Sequence, residues 1–375
     1  MDLKNKRLLH ILLIVVIVII VVLAIVIGVV VGTRNKGKGG EKKKIPDDKE
    51  DEEDVDIVNS YNNTEELIKK YPVGNPTTVQ KGLEERIQNR LLTGFENWNR
   101  GFKAWKAWGN ILYTQDSIYN VHGARLTLAH YQDAMDISLK QANITMGAFH
   151  NMLISDDFCA IHYDFITEVG NVKKNGKVME FVKFKDYEGD LGTRVVEGWG
   201  STKDISYDGL INFQGPDEKK VQQEQLDYML KYELPETDNL KEKYLIQNPT
   251  KFIDDNAEDI LNIIFEGFDN WNKGIDQYLN WVDTGYDENA KSSGLNEKER
   301  TMTEYKNEMK ALVEKEKITK IYFDNVLIRD NWAALHYRYT KENLETKEMY
   351  AGDRMQFLKF EEKEGSLKIV ASWIQ

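Results

Sequence analysis

Residues 94–101, Gly94-Phe95-Glu96-Asn97-Trp98-Asn99-Arg100-Gly101, return 173 positions later as Gly267-Phe268-Asp269-Asn270-Trp271-Asn272-Lys273-Gly274. Working outward, Tyr71 and Asn75-Pro76-Thr77 return as Tyr244 and Asn248-Pro249-Thr250, and Trp105 and Trp108 return as Tyr278 and Trp281. Further on the spacing is 174: Tyr131, Met135, Ile144-Thr145, Phe149, Asn151, Asp156, Ala160 and His162-Tyr163 map onto Tyr305, Met309, Ile318-Thr319, Phe323, Asn325, Asp330, Ala334 and His336-Tyr337. Phe181-Val182-Lys183-Phe184 maps onto Phe357-Leu358-Lys359-Phe360, and Trp199 onto Trp373. Solenoid repeats run 20–50 residues, so a period this long means two copies of one domain. The copies span roughly 66–204 and 239–375, joined by an inter-repeat linker at 205–238.

Each copy reads in the same order. Asn75-Pro76 has the form of an N-cap followed by proline at the first helical position. Leu83, Ile87, Leu91, Phe95, Trp98, Phe102 and Trp105 step by three or four, which predicts an amphipathic helix interrupted near Gly94 and Gly101. An irregular stretch from Ile111 to Gly123 leads to a shorter helix near Leu126–Ala142. β-patterned runs follow: Phe149–Ile154 and Phe158–Thr167 flank an Asp156-Asp157 turn, and Val178–Lys185 and Thr193–Gly200 flank Glu188–Gly192. Helices followed by an antiparallel meander make the class α+β.

The path from Trp98 and Trp105 through Leu112-Tyr113-Thr114-Gln115-Asp116, Val121-His122-Gly123, a helix, Asp156–Tyr163, Gly189 and Trp199 resembles a SnoaL-like domain of the nuclear-transport-factor-2-like superfamily. The resemblance covers both repeats. It implies two cone-shaped domains, each with N-terminal helices packed in a curved antiparallel sheet and a pocket at its mouth. Family members include cyclases, isomerases, dehydratases and epoxide hydrolases that use a pocket Asp or His as general acid/base, and members that only bind.

On that resemblance the catalytic candidates are Asp116 and His122 of repeat 1. Repeat 2 offers Asp287 and Gly294 at a spacing of 171, with Lys291-Ser292-Ser293 where the histidine would stand. After Trp199 the first acid is Asp204, and after Trp373 only Ile374-Gln375 remain, so the acid that cyclase-type members carry there has no clear counterpart. Trp98, Phe102 and Trp105 form an aromatic stripe that is core first and a pocket lining second. With Tyr163, Trp199, Asp116 and His122 they make the expected ligand-binding set, and any ligand is expected in repeat 1. Cys159 and His162 lie three apart on a strand and point to opposite faces, which excludes a thiol dyad. His130 with Asp133 is replaced by Glu304 and Asn307 in repeat 2. No cofactor or metal motif is present: the single cysteine excludes multi-cysteine sites, and P-loop, Rossmann, His-Glu-x-x-His and Gly-x-Ser-x-Gly patterns are missing.

Strand alternation sets the faces. Cys159, Ile161, Tyr163 and Phe165, matched by Ala333, Leu335, Tyr337 and Tyr339, are expected to line the cone. Ala160, His162 and Asp164, matched by Ala334, His336 and Arg338, form the other face. There the two repeats are expected to pair within the chain, with Asp164 near Arg338 across a pseudo-two-fold interface.

Upstream of the repeats, residues 1–7 are a short basic tail and Leu8–Val31 is a 24-residue run without a charged side chain. A helix of about 1.5 Å per residue makes that run long enough to cross a hydrocarbon core of about 30 Å, whereas a cleaved signal peptide has a shorter apolar region and a small-residue cleavage site. Residues 8–31 are therefore read as a single-pass anchor in a lipid bilayer, behind which 32–65 is a charged tether. The count of basic residues after the run favours a cytoplasmic C-terminal side. A short basic N-terminus before the only apolar segment favours the opposite, and the folded part is read as extracytoplasmic. The net charge is −12, with nine Lys/Arg against two acids in residues 1–46 and a strongly acidic remainder. The acidity of the folded part argues against nucleic acid as a partner, because a phosphate backbone needs a basic face. The reading is a membrane-anchored, non-catalytic tandem protein that binds a small apolar ligand or a protein partner. The alternative is a cyclase, isomerase or hydratase using acid/base residues in repeat 1.

Overall fold

The computed structural model describes residues 56–58, 64–121, 124–187, 192–201, 218–294 and 298–375. The apolar run 8–31 and His122 lie outside them, and among the described residues no helix is long and apolar enough to cross a membrane. Residues 55–375 make one compact unit.

Repeat 1 runs α1 (Thr64–Lys70), β1 (Val73–Pro76), α2 (Leu83–Asn99), α3 (Phe102–Leu112), β2 (Tyr113–Val121), β3 (Ala124–Thr127), α4 (Leu128–Gln141), β4 (Asn143–Ser155), β5 (Phe158–Val169), β6 (Val172–Tyr187) and β7 (Gly192–Gly200). A helix, α5 (Glu218–Lys231), lies in the segment read as a linker and buries Leu226 and Met229. Repeat 2 runs α6 (Leu240–Lys243), β8 (Ile246–Pro249), α7 (Ala257–Lys273), α8 (Ile275–Gly285), β9 (Tyr286–Gly294), β10 (Arg300–Thr301), α9 (Met302–Val313), β11 (Glu316–Arg329), β12 (Trp332–Asn343), β13 (Met349–Lys363) and β14 (Ser366–Ile374).

Each repeat has one seven-stranded sheet, ordered β1-β4-β5-β6-β7-β2-β3 and β10-β9-β14-β13-β12-β11-β8. The four-stranded meanders are antiparallel as expected, but the sheets are mixed, because β1 joins β4, and β2 joins β7, in parallel. Two local expectations change accordingly. Asn75-Pro76 caps no helix; it ends β1, where Asn75 Nδ2 donates to His150 O (3.1 Å) and Asn151 Oδ1 (2.9 Å). Most of the stretch read as irregular is strand β2, and a register shift between Tyr113 and Ile118 breaks its period-two pattern. In repeat 2, Tyr286 and Gly294 occupy the places of Tyr113 and Val121, so the spacing there is 173 and not 171.

The repeated octapeptide sets how two helices meet. The helix continues through Gly94, because the Trp108 ring lies where a side chain would be: a Cβ on Gly94 would sit 2.6 Å from Cη2 of Trp108, and on Gly267 2.6 Å from the Trp281 ring. It breaks at Gly101 and Gly274, whose φ of 115° and 127° only glycine adopts readily. Trp98 Nε1 donates to Ile144 O at 2.8 Å, tying the helix to the sheet. Glu96 accepts from Lys70 Nζ (2.5 Å) and the Tyr71 hydroxyl (2.9 Å), and Asp269 accepts from Lys243 Nζ (2.5 Å), so the acid of the motif fastens the preceding short helix in both copies.

The inner faces carry Cys159, Ile161, Tyr163 and Phe165 in repeat 1 and Ala333, Leu335, Tyr337 and Tyr339 in repeat 2, each packed on its own helices. A third buried layer is made by both sheets together. Leu153, Phe158, Ala160, Met179, Phe181 and Trp199 meet Leu327, Trp332, Ala334, Met355 and Phe357, with Trp373 against them. The contacts across it are reciprocal. The His162 ring lies 5.7 Å from Phe357, and His336 lies 6.2 Å from Phe181. Arg329 Nε donates to Thr78 O (3.0 Å), and Ser155 Oγ, at the matching place, donates to Lys251 O (2.9 Å). Ser201 Oγ donates to its own counterpart, the Gln375 side chain. This reciprocity is that of an isologous two-fold interface, built here from one chain.

Candidate functional site

Between the helices and the inner face of each sheet lies a cavity. In repeat 1 it is small, about 110 Å³, and lined by Trp98, Trp105, Tyr163 and Tyr119 among others. In repeat 2 it is about 460 Å³, with Trp271, Tyr278, Trp281, Tyr305, Tyr337 and Arg354 in its wall. The position of Tyr119 accounts for much of the difference. Its ring stacks on Tyr131 at 4.3 Å and its hydroxyl reaches Glu180, while Gly198 and Gly200 clear the space for it, a Cβ on either falling 2.6–2.7 Å from the tyrosine. The β2–β7 and β9–β14 registers put Ser292 at the matching place, opposite Ser372 where repeat 1 has Gly198. Ser292 accepts from Ser372 Oγ at 2.9 Å and leaves the room open. The expectation that any ligand belongs to repeat 1 is therefore at odds with where the space is.

The polar groups facing the two cavities also differ. In repeat 1, Glu180 Oε1 accepts from the Tyr119 hydroxyl at 2.8 Å and the Tyr163 hydroxyl at 3.0 Å. Burial pushes its carboxyl above the usual carboxylate range, against the pull of those two hydroxyls. Burial raises the Tyr119 hydroxyl too, so it stays a protonated donor. Repeat 2 has Gln356 where Glu180 stands and Arg354 where Val178 stands, since Phe181 and Phe357 are equivalent and Val178 and Arg354 face the matched Tyr163 and Tyr337. The Tyr278 and Tyr305 hydroxyls are 2.6 Å apart, and the Arg354 guanidinium lies 5.3 Å from the centre of the Tyr339 ring. Burial raises the Tyr305 hydroxyl, and the Arg354 and Arg300 charges oppose it, so both cations act on this hydroxyl.

The residues singled out from sequence separate. Trp98, Trp105 and Tyr163 line the repeat 1 cavity, with Phe102 partly buried against the same core. Asp116 does not: the Tyr113–Ile118 shift lifts the chain off the ladder, Ser117 Oγ donates to Thr114 O at 2.8 Å, and Asp116 is exposed. Trp199 belongs to the layer between the repeats, paired with Phe181 and 5.7 Å from Phe158. His162 and His336 lie in that layer as well. Burial holds the His162 imidazole down to about 3, so it stays neutral, with Nδ1 3.3 Å from Asn151 Nδ2. Asp164 and Arg338 form no ion pair with one another. Asp164 meets His150 Nε2 at 2.7 Å, and Arg338 grips Asp324 with two bonds of 2.6 and 2.8 Å. His150 and Asp324 occupy the same place in the two repeats, so the acid-to-base change at 164/338 is balanced on the neighbouring strand of each sheet.

The acid at 180 and the base at 354 were missed, although a signal for them exists. Val178, Glu180, Val182 and Phe184 alternate along β6, which places Glu180 inward. The adjacent aromatics Phe181 and Phe184 have opposite parity and mask that reading. Among the described residues no group of three His, Cys, Asp or Glu could hold a metal ion.

No family model matches the chain, and no curated protein matches it in sequence. Solved structures do. A ketosteroid isomerase-like protein from Erwinia carotovora atroseptica is 12% identical, and the match covers 32% of this chain and 96% of that one with a TM-score of 0.28. A Mesorhizobium loti protein described as a SnoaL-like polyketide cyclase is 12% identical over 31% of this chain and 97% of its own, with a TM-score of 0.25. A Nostoc punctiforme protein of unknown function with a cystatin-like fold is 15% identical over 32% and 90%, with a TM-score of 0.24. Each match spans about a third of the chain, the extent of one repeat.

Proposed function

We propose that this chain is a non-catalytic binding protein, tethered to a membrane by residues 8–31, whose ligand occupies the cavity of repeat 2. The observation that supports the site is the 460 Å³ space walled by aromatic side chains with a few convergent polar groups, the usual make-up of a small-molecule pocket. Its inner face has Gln356 in place of the inward acid of repeat 1, and the Asp353 carboxylate in its lining reaches His336 Nε2 at 3.6 Å on the other face of β13. A ligand that binds only the folded state raises the melting temperature. Screening the full chain against metabolites and lipids is expected to find such a compound, with the shift lost in Met309→Trp, which fills the cavity, and kept in Trp105→Ala. The reverse pattern would move the site to repeat 1.

The enzyme reading keeps one supporting observation, the Glu180 carboxyl with its raised pKa and two tyrosine donors in an apolar cavity. The 110 Å³ beside it is too little for a cyclase substrate without rearrangement. The anchor has its own check: carbonate washing of membranes should leave the full chain in the pellet, and release would remove it. Protease added to intact cells should digest the repeats if they lie outside the cytoplasm and spare them if they lie within.

A further inference from the structure

The Arg354 guanidinium faces a cavity, and among the described residues no carboxylate lies within ion-pair distance of it. Its chain neighbour Asp353 belongs to the other face of β13, with its carboxylate 3.6 Å from His336 Nε2. The second cation of the wall, Arg300, is already paired with Glu308. Arg354 has instead the face of Tyr339 at 5.3 Å and side-chain hydrogen bonds to the Tyr337 and Tyr339 hydroxyls, neutral partners that do not balance its charge. Compared with repeat 1, the same strand face has gained a base at 354 and lost an acid at 356 (Val178 and Glu180 against Arg354 and Gln356). The nearest charge that acts on it, the Glu316 carboxylate, is itself paired with Lys341, so the half-buried guanidinium has no ion-pair partner of its own, and its planar fork matches a two-oxygen anion. Around it the cavity is aromatic and aliphatic, with Trp271, Trp281, Leu335 and Leu358 in the wall.

We propose that the repeat 2 cavity takes an amphipathic anion, an apolar body carrying a carboxylate, sulfonate or similar head group, with Arg354 as the residue that receives the head group. This rests on the reading of the repeat 2 cavity as the ligand site. Charge on the ligand then decides selection: a neutral molecule of the same shape fits the aromatic wall but leaves the guanidinium without an ion-pair partner, whereas an anion supplies that charge and two acceptor oxygens.

The test uses a matched pair of fluorescent probes on the full chain in detergent, with the protein-free signal subtracted: 1-anilinonaphthalene-8-sulfonate and its uncharged parent, N-phenyl-1-naphthylamine. The sulfonate is expected to bind the wild type at least tenfold more tightly than the parent, a charge-assisted bond's worth. Arg354→Met, which puts an apolar side chain where repeat 1 has Val178, should abolish that preference and leave the parent's affinity unchanged. Met309→Trp should weaken both probes. If both probes bind the wild type and lose affinity in Met309→Trp, but Arg354→Met leaves the sulfonate unaffected, the anion inference is overturned and the binding site stands. If neither probe saturates, or Met309→Trp changes neither, the site itself is overturned. A melting curve on each variant shows that it is folded, and Arg354→Lys, keeping the charge without the fork, should retain part of the preference.

Discussion

At the scale of single residues, the two repeats differ most where they face their cavities. Glu180 sits among apolar groups with two tyrosine hydroxyls as its partners, and burial raises its pKa. A carboxyl whose pKa is higher in the folded state holds its proton there more tightly than in the unfolded chain. Stability therefore falls as pH rises from the unfolded value, about 4.3, through the folded one. Glu180→Gln removes the charge, keeps the shape and copies what repeat 2 has at Gln356. The variant should melt a few degrees above the wild type at pH 8, relative to the difference between them at about pH 3, where Glu180 is protonated in both states. Differential scanning calorimetry at the two pH values checks it, and equal differences at both would remove the account. The exchange of His150–Asp164 for Asp324–Arg338 belongs to the same scale: each sheet keeps a hydrogen-bonded acid–base pair across two strands while swapping which strand holds the acid.

At the scale of elements, the repeated octapeptide is a packing device. Alanine in place of a mid-helix glycine normally stabilises a helix by up to about 1 kcal/mol. Gly94 should behave oppositely, since its Cβ would fall 2.6 Å from the buried Trp108 ring. Gly94→Ala is expected to lower stability by about 1–3 kcal/mol, the usual cost of overpacking a core. Gly94→Ala combined with Trp108→Leu should lose less than the sum of the two single changes. Urea denaturation of the single and double variants measures this, and a stabilised Gly94→Ala would show that the helices do not meet there. The same element logic explains α5: Arg338, clamped by Asp324, stacks on Tyr228 of that helix at 5.0 Å and on Tyr322 at 4.5 Å, so a segment without repeat character still docks on the sheet.

At the scale of the whole molecule, two copies of a domain share a third core. The outer faces of the sheets exclude water from Phe181, Trp199, Met355 and Phe357, and Arg329 crosses to Glu84 at 3.2 Å with both side chains nearly inaccessible. The repeats should therefore unfold in one transition. Removing one partner of a buried ion pair strands the other, typically at a cost of about 3–5 kcal/mol. Arg329→Met should shift the whole urea transition down by roughly that amount, softened by the backbone N–H groups of Gln80 and Asp156 that also bond Glu84. Two separate transitions in the wild type would mean that the shared layer does not couple the repeats.

The sequence by itself determined that there are two copies, that each orders helices before a meander, and which strand residues face the helices. These are consequences of periodicity, and periodicity is local: residues two apart share a strand face and residues three or four apart share a helix face. It also placed Trp98, Trp105 and Tyr163 in one wall, because an aromatic stripe on a helix and an inward tyrosine on a strand are fixed by the same rule. Tertiary structure alone decided the rest. Asp116 left the candidate site because a register shift in β2, set by pairing with a strand some 80 residues away, turned it outward. Trp199 left it because its face is chosen by pairing with Phe181. The larger cavity fell in repeat 2 because one position, tyrosine in repeat 1 and serine in repeat 2, either fills the space beneath the helices or leaves it open. Volume is a property of many side chains meeting at once, and no single stretch of the chain carries it.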